Sequence, residues 1–148
     1  MAIQTLANTK LFIGTTAVAT DQITYEADTY VQVKNISTMG EIGDSSNPVN
    51  LSLIDDAREQ FAKGTRPAQG GDYELAFLAS DPGQQACIAA EADNESIPYN
   101  FYREEVDGTK IYFSGVVFSF RGKGGTVDDV MMVTMTLQHG ETLEVAAP

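Results

Sequence analysis

The chain has 148 residues, 43% of them hydrophobic and 20% charged, which fits one domain burying roughly 70% of its unfolded surface. Twenty-one acidic residues against nine basic ones give a net charge of −12, the reverse of the basic surface that sequence-independent DNA binding requires. No apolar run approaches the roughly 18 residues of a membrane span, MAIQTLANTK lacks the marks of a secretion signal, and the lone Cys87 excludes an internal disulfide, so a soluble chain folded in a reducing cytoplasm is expected.

Period-two patterning rich in β-branched and aromatic residues, broken by Gly, Asn and Asp clusters, predicts a mainly β fold. A first strand is expected at Lys10 to Thr15 and a stronger one at Thr29 to Ile36, where Val31 and Val33 face one way and Gln32 and Lys34 the other. A third, Tyr73 to Ala79, places Tyr73, Leu75 and Phe77 opposite Glu74 and Ala76. Asp81 as N-cap, Pro82 in the first turn and Gln84 at the capping-box position predict a short helix over Pro82 to Ala92. Its Ala86, Ala89 and Ala90 are small enough to let it lie close on a sheet.

The clearest hairpin joins Ile97 to Arg103 with Lys110 to Phe120 through a turn at Val106 to Thr109, whose Asp107-Gly108 pair suits left-handed backbone. Arg121-Gly122-Lys123-Gly124-Gly125 reads as a mobile connection into a strand at Val130 to Gln138. His139 and Gly140 read as a turn before a last short strand at Thr142 to Val145. Residues 38–72 fit no compact sheet: they are rich in Gly, Ser and charge, with a short apolar alternation at Val49, Leu51 and Leu53 and a helical turn around Ala57 to Phe61. Leu51, Leu53, Ile54 and Phe61 are more apolar than a disordered linker requires, so the stretch is expected to be a projecting arm.

Catalytic chemistry finds no support in the residues. One histidine and one cysteine make neither a metal-ligand set nor a nucleophile and base pair; Cys87 reads as a small buried residue and His139 as a turn residue. RGKGG lacks the spacing of a P-loop and joins two strands instead of entering a helix. Asp55 with Asp56, Glu104 with Glu105 and Asp128 with Asp129 are sequence neighbours, which on a strand point to opposite faces, so they read as solvated charges. No catalytic, cofactor-binding or metal residue is assigned.

The order of these elements resembles the tail tube proteins of long-tailed, siphophage-type bacteriophages and, more distantly, the tube protein of type VI secretion. The pieces that carry the resemblance are DPGQQACIAAEAD for the helix, YNFYREEVDGTKIYFSGVVFSF for the hairpin, VMMVTMTLQHG for the returning strand and LSLIDDAREQFAKGTRPAQGGDYELAFL for the loop before the helix. The resemblance implies a small β-sandwich or barrel with one flanking helix, a single tail tube domain over 1–148, with 38–72 as a long inter-subunit loop and 1–9 as an N-terminal arm. It further implies homohexameric rings stacked into a hollow tube in the virion tail, assembled in the host bacterial cytoplasm. Tape measure, tail tip and tail terminator proteins would be its partners, double-stranded DNA would pass through without tight binding, and neither a membrane nor a cofactor would be involved.

Six copies would carry 6 × −12 = −72 charges per ring, a wall that lets DNA slide. Gln32, Lys34, Glu74, Thr134, Thr136 and Gln138 are the candidates for the lumen-facing surface, and Leu51, Leu53, Asp55, Asp56, Arg58 and Phe61 for the inter-subunit arm. The alternatives are a related tube subunit of a contractile tail or secretion system, a soluble β-sandwich binding module, and, last, an enzyme. The charge balance makes one prediction: the purified protein will not retain duplex DNA at physiological salt, and micromolar binding in a gel-shift titration would contradict it.

Overall fold

The longest alternating runs of the sequence become the spine of one antiparallel sheet. The computed structural model describes residues 3, 5–16, 18–40, 45–55, 57–67, 69–93 and 98–146. The expected strand start at Ile97, the candidate Asp56 and parts of 1–9 and 38–72 fall outside them. In chain order the elements are β1 (Lys10–Ile13), α1 (Gln22–Glu26), β2 (Val31–Val33), β3 (Ile36–Thr38), β4 (Pro48–Ser52), β5 (Glu59–Lys63), β6 (Gln69–Ala76), α2 (Pro82–Ala92), β7 (Tyr99–Glu104), β8 (Lys110–Gly122) and β9 (Met132–Val145). Seven strands form a sheet in the order β2-β1-β7-β8-β9-β6-β3, while β4 and β5 pair separately. The large sheet is mainly β architecture curled into a half-barrel, as the barrel expectation requires.

The alternation decides which face is the core. Leu11, Ile13, Val33, Tyr73, Leu75, Phe101, Phe113, Val117, Val133, Met135 and Leu137 point to one side, and all are buried. Each large apolar side chain sealed this way contributes about 1.5–3 kcal/mol. Helix α2 lies on that side against β8, β2 and β1. Its packed face is Gly83, Gln84, Cys87 and Ala90, with Ala86 beside them, whereas Ala89 is exposed.

The run expected as one strand from Thr29 to Ile36 is broken in two. Asn35 takes a left-handed φ of 64°, and the halves β2 and β3 end up on opposite edges of the sheet. In a flat sheet those edges would be six strand spacings, roughly 29 Å, apart. The three Cα steps from Val33 to Ile36 span at most about 11 Å. The sheet must therefore curl until its edges meet across Lys34 and Asn35.

The start of α2 is wedged into this seam. The Gln84 side chain is fully buried; its Nε2 donates to the carbonyls of Lys34 and Ala76, both at 3.0 Å, and its Oε1 accepts from Leu78 N at 2.9 Å. Asp81 Oδ2 accepts from Lys34 N at 2.9 Å, and Ala76 N donates to the Asn35 carbonyl at 2.8 Å. Gly83 is required here by space, because a Cβ would lie 2.0 Å from the Gln32 carbonyl oxygen. The helix has the expected bounds but not the expected capping: Asp81 occupies the N-cap position without a side-chain cap bond, and Gln84 serves the seam instead of a capping box.

Three further expectations are corrected by the structure. His139 and Gly140 make no turn; β9 continues from Met132 to Val145, and Gly140 with Glu141 faces the single Ser114 in a bulge between Gly115↔His139 and Phe113↔Thr142. Eleven registered pairs with β8 outweigh the local His-Gly signal. The Ala57 to Phe61 segment is not helical but enters β5, paired with β4 from Pro48↔Lys63 to Ser52↔Glu59. Strand β8 runs on to Gly122, so Arg121 and Gly122 belong to the sheet and not to the connection. Helix α1 was not anticipated, although Asp21 and Thr24 form a reciprocal capping box.

Two substitutions test these assignments by urea unfolding. Replacing Gln84 with Leu should cost about 2–4 kcal/mol, since three backbone groups lose a partner inside the seam, while Gln85→Leu next to it should stay within about 0.5 kcal/mol. At the β7–β8 turn, Gly108 has φ 96° and its N–H bonds to the Glu105 carbonyl at 3.0 Å. Gly108→Val should destabilise by about 1–2 kcal/mol through the left-handed penalty, and an unchanged midpoint would contradict the turn assignment.

Candidate functional site

Because paired residues in a ladder share a face, the registers show where each candidate side chain lies. On β9, Thr134, Thr136 and Gln138 alternate with the buried Val133, Met135 and Leu137, and so occupy the face away from α2. Their partners on β6 are Glu74, Asp72 and Gly70. On β8 the partners are Arg121 for Thr134, Ser119 for Thr136 and Val116 for Gln138. The result is a polar ribbon three strands wide, in which Thr136 Oγ1 donates to Asp72 Oδ1 at 3.0 Å and Glu74 forms an ion pair with Lys123.

Gln32 is on the same face, since it pairs with Phe12, which pairs with Tyr102 and in turn with Tyr112. It sits in the other half of that face, four strands from β9. Lys34 belongs to neither half: it lies between β2 and β3, with its backbone bonded into the seam. Four of the six candidates are therefore adjacent, Gln32 is coplanar but distant, and Lys34 is elsewhere. Asp72, Ser119 and Arg121 were missed. Asp72 stands two residues before Glu74, so period-two reading would have found it had the strand been started at Gln69.

The half of the face that carries Gln32 is aromatic. Phe12 stacks on Tyr102 at 4.4 Å between centroids, Tyr30 meets Tyr102 edge-on at 4.7 Å, and Tyr112 joins Tyr102 at 5.3 Å and Tyr25 at 5.4 Å. The segment carrying α1 closes over these rings: Tyr25 Oη and Ser114 Oγ are 3.1 Å apart, and Tyr30 Oη donates to the Tyr25 carbonyl at 2.8 Å. Asp28 ties the segment down. Burial acts to raise its pKa, but hydrogen bonds from the hydroxyl and amide of Thr15, the Asn100 side chain and the Thr29 amide outweigh it and hold the carboxyl below its usual range. Burial pushes the Tyr102 phenol up to about 12, with Glu104 and Tyr112 adding to the shift. Burial likewise raises Tyr30 and Tyr112, so these phenols stay neutral and serve as packing surface.

The arm residues lie on and beyond the β4–β5 ribbon. Leu51 and Phe61 are in its strands, and Leu53, Asp55 and Arg58 in the connection between them. Leu51, Leu53 and Phe61 are exposed, and Ile54 is fully so. The base is tied by Asn47 N to the Thr65 carbonyl at 2.8 Å and Gly64 N to the Asn47 carbonyl at 2.6 Å. A two-stranded ribbon is marginally stable alone in water.

The groups with reactive potential are held inert. Burial drives the Cys87 thiol up to about 12, with Asp81 adding to it, so no thiolate forms at neutral pH. His139 is buried in β9, not in a turn, with Nδ1 3.0 Å from the Gly140 carbonyl and its ring against Phe113. Glu105 pairs with Arg103 at 3.1 Å. Among the described residues no three His, Cys, Asp or Glu side chains cluster as metal ligands, and no helix is long and apolar enough to cross a membrane.

The sequence matches no protein-family model and no curated protein. The fold does have solved counterparts. A chain of the extracellular contractile injection system PVC, in the sheath/tube terminator structure in the extended state, superposes with a TM-score of 0.71 at 9% identity over 99% of both chains. The PVC sheath–tube complex gives 0.71 at 9% identity, covering 98% of this chain and 93% of that one. The SPP1 tail tube gives 0.62 at 17% identity, covering 92% of this chain and 75% of its counterpart. The chain thus has the fold shared by tail tube and tube-terminator proteins of phage tails and contractile injection systems.

Proposed function

We propose that this chain is a non-enzymatic structural subunit of a tail tube, forming hexameric rings that stack into a hollow conduit for DNA in a virion tail. The observation that carries the reading is the superposition over nearly the whole chain on subunits of tube assemblies, one of them the SPP1 tail tube. The polar ribbon of Glu74, Asp72, Thr134, Thr136 and Gln138 is the lumen wall in this reading. Its carboxylates and the net −12 of each chain repel a phosphate backbone, against two basic side chains on the same ribbon, Arg121 and the Lys123 that pairs with Glu74. The β4–β5 ribbon is the inter-subunit arm, and residues 1–9 make a second, N-terminal one. Tape measure, tail tip and terminator proteins meet the tube, which assembles in the host cytoplasm.

A second reading, a tube enclosed by a sheath, is favoured by one fact. The contractile-system structures superpose with a TM-score of 0.71, against 0.62 for the SPP1 tail tube. Both readings predict rings or rods in negative-stain electron microscopy of the purified protein, and a strictly monomeric sample at high concentration would refute both. Replacing residues 45–67 with a short Gly/Ser linker should leave the β-sheet circular dichroism nearly intact and abolish rods, because the arm pairs within itself and not with the large sheet. Normal rods from that variant would remove the arm from assembly.

A further inference from the structure

Residues 14–30 leave β1 and return to β2, and their two ends are already joined by the Ile13↔Val31 pair, so this loop can lift from the sheet without breaking a ladder. Its first two residues stay in line with β7: Gly14 N donates to the Asn100 carbonyl at 2.6 Å and Asn100 N to the Thr15 carbonyl at 2.9 Å. From Thr16 to Tyr30 the described backbone belongs to no strand and folds back over Phe12, Tyr102 and Tyr112. Among the described residues of that stretch only Tyr25 is buried. A segment that seals so little apolar surface opens at a lower cost than the sheet beneath it.

Asp28 is the group that holds it down. Its Oδ2 accepts from Thr15 N at 2.9 Å and from Asn100 Nδ2 at 2.8 Å, and its Oδ1 from the Thr15 hydroxyl at 2.7 Å and Thr29 N at 2.8 Å. Gly14 makes room for it, because a Cβ there would lie 2.6 Å from Asp28 Oδ2 and 2.8 Å from Tyr30 Cε1. Four donors converging on one carboxyl suit the ionised form, which accepts at both oxygens and donates at neither. A proton on Asp28 puts a donor among donors. On its own segment Asp28 faces the Tyr30 phenol, and the ends of β1 and β7 present it with the uncharged Thr15 and Asn100. The neighbouring charges act elsewhere: Glu26 and Glu104 on the Tyr112 phenol, and Lys110 5.5 Å above the Tyr102 ring.

We propose that residues 16–30 are an acid-released strap, latched by the Asp28 carboxylate, which lifts as a unit and uncovers the aromatic floor of Phe12, Tyr102 and Tyr112 while the large sheet stays closed. The direction follows from linkage. Burial opposes the charge of Asp28, but the hydrogen bonds outweigh it and hold the carboxyl below its ordinary value of 3.8, to which it returns when the strap is open. The latch is therefore complete above that value and is lost as the pH falls below it.

Tyrosine circular dichroism of the purified full chain tests the device, since the protein has no tryptophan and four of its six tyrosines, Tyr25, Tyr30, Tyr102 and Tyr112, lie at the strap. In the wild type the near-ultraviolet signal should fall as the pH drops below 3.8 while the far-ultraviolet β signal persists. Asp28→Asn, whose amide brings a donor to the same four donors, should show the reduced tyrosine signal at neutral pH and no further acid step. Hydrogen exchange of that variant should be roughly tenfold faster or more across residues 16–30 and unchanged in β8 and β9. Gly14→Ala should produce the same opening by contact alone. Asp21→Asn, an equally good helix cap within the strap, should keep the wild-type acid step. Wild-type spectra and exchange from Asp28→Asn overturn the latch. Joint loss of the near- and far-ultraviolet signals, in acid or in the variant, or exchange that rises equally in β8 and β9, shows the segment to be part of the global fold and overturns the strap.

Discussion

Two residues, Lys34 and Asn35, must connect the opposite edges of a seven-stranded sheet, and the curvature of the molecule follows from that short link. A flat sheet would hold the edges far beyond the reach of the chain, so closure is imposed by connectivity before side-chain packing refines it. Closure leaves polar backbone groups at the junction that neither edge strand can satisfy alone. Gln84 and Asp81 supply the missing partners from the start of α2, and Gly83 gives the helix room to come that close. The helix is therefore the clasp of the curled sheet as well as the cover of its core.

Curling also divides the labour of the two faces. The side that packs against α2 takes the apolar half of the alternating strands of the large sheet and excludes water. The other side is split lengthwise. Over β1, β7 and the first half of β8, tyrosines and Phe12 form a second small apolar layer under the α1 segment, held by the several donors on Asp28. Over β9 and β6, threonines, carboxylates and an amide form the polar ribbon. In the proposed tube this surface would be the wall of the DNA conduit, where carboxylates repel phosphates.

The arm is the part of the chain least able to support itself. Its apolar side chains are spent outward, its two strands pair only with each other, and each residue ordered costs roughly 1–2 kcal/mol of backbone entropy. In the proposed tube, assembly would offer the burial that the monomer lacks and would couple ordering of the arm to growth of the tube. The long β8–β9 pair gives the arm a rigid body to act from.

The elements legible from residues alone were those whose information is local. Alternation over Val133 to Gln138 and Tyr73 to Leu75 determined which side chains face the core, Asp107-Gly108 determined the hairpin, and the Asp81-Pro82 pair determined where α2 starts. The functional expectation came from the order of elements and its resemblance to tail tube proteins, while the residues offered no nucleophile, base or metal set to assign. What needed the tertiary structure was non-local: the break at Asn35 that sends β2 and β3 to opposite edges, the bulge that carries β9 through His139 and Gly140, and the role of Gln84 as a clasp between three segments. In the candidate wall, Asp72, Ser119 and Arg121 joined Thr134 and Thr136 only through register across strands far apart in sequence, while Lys34 was lost to the seam. Period-two patterning fixes the face of a side chain within its own strand; which strands lie side by side is decided by pairing energies summed over whole ladders, and no single stretch of sequence contains that sum.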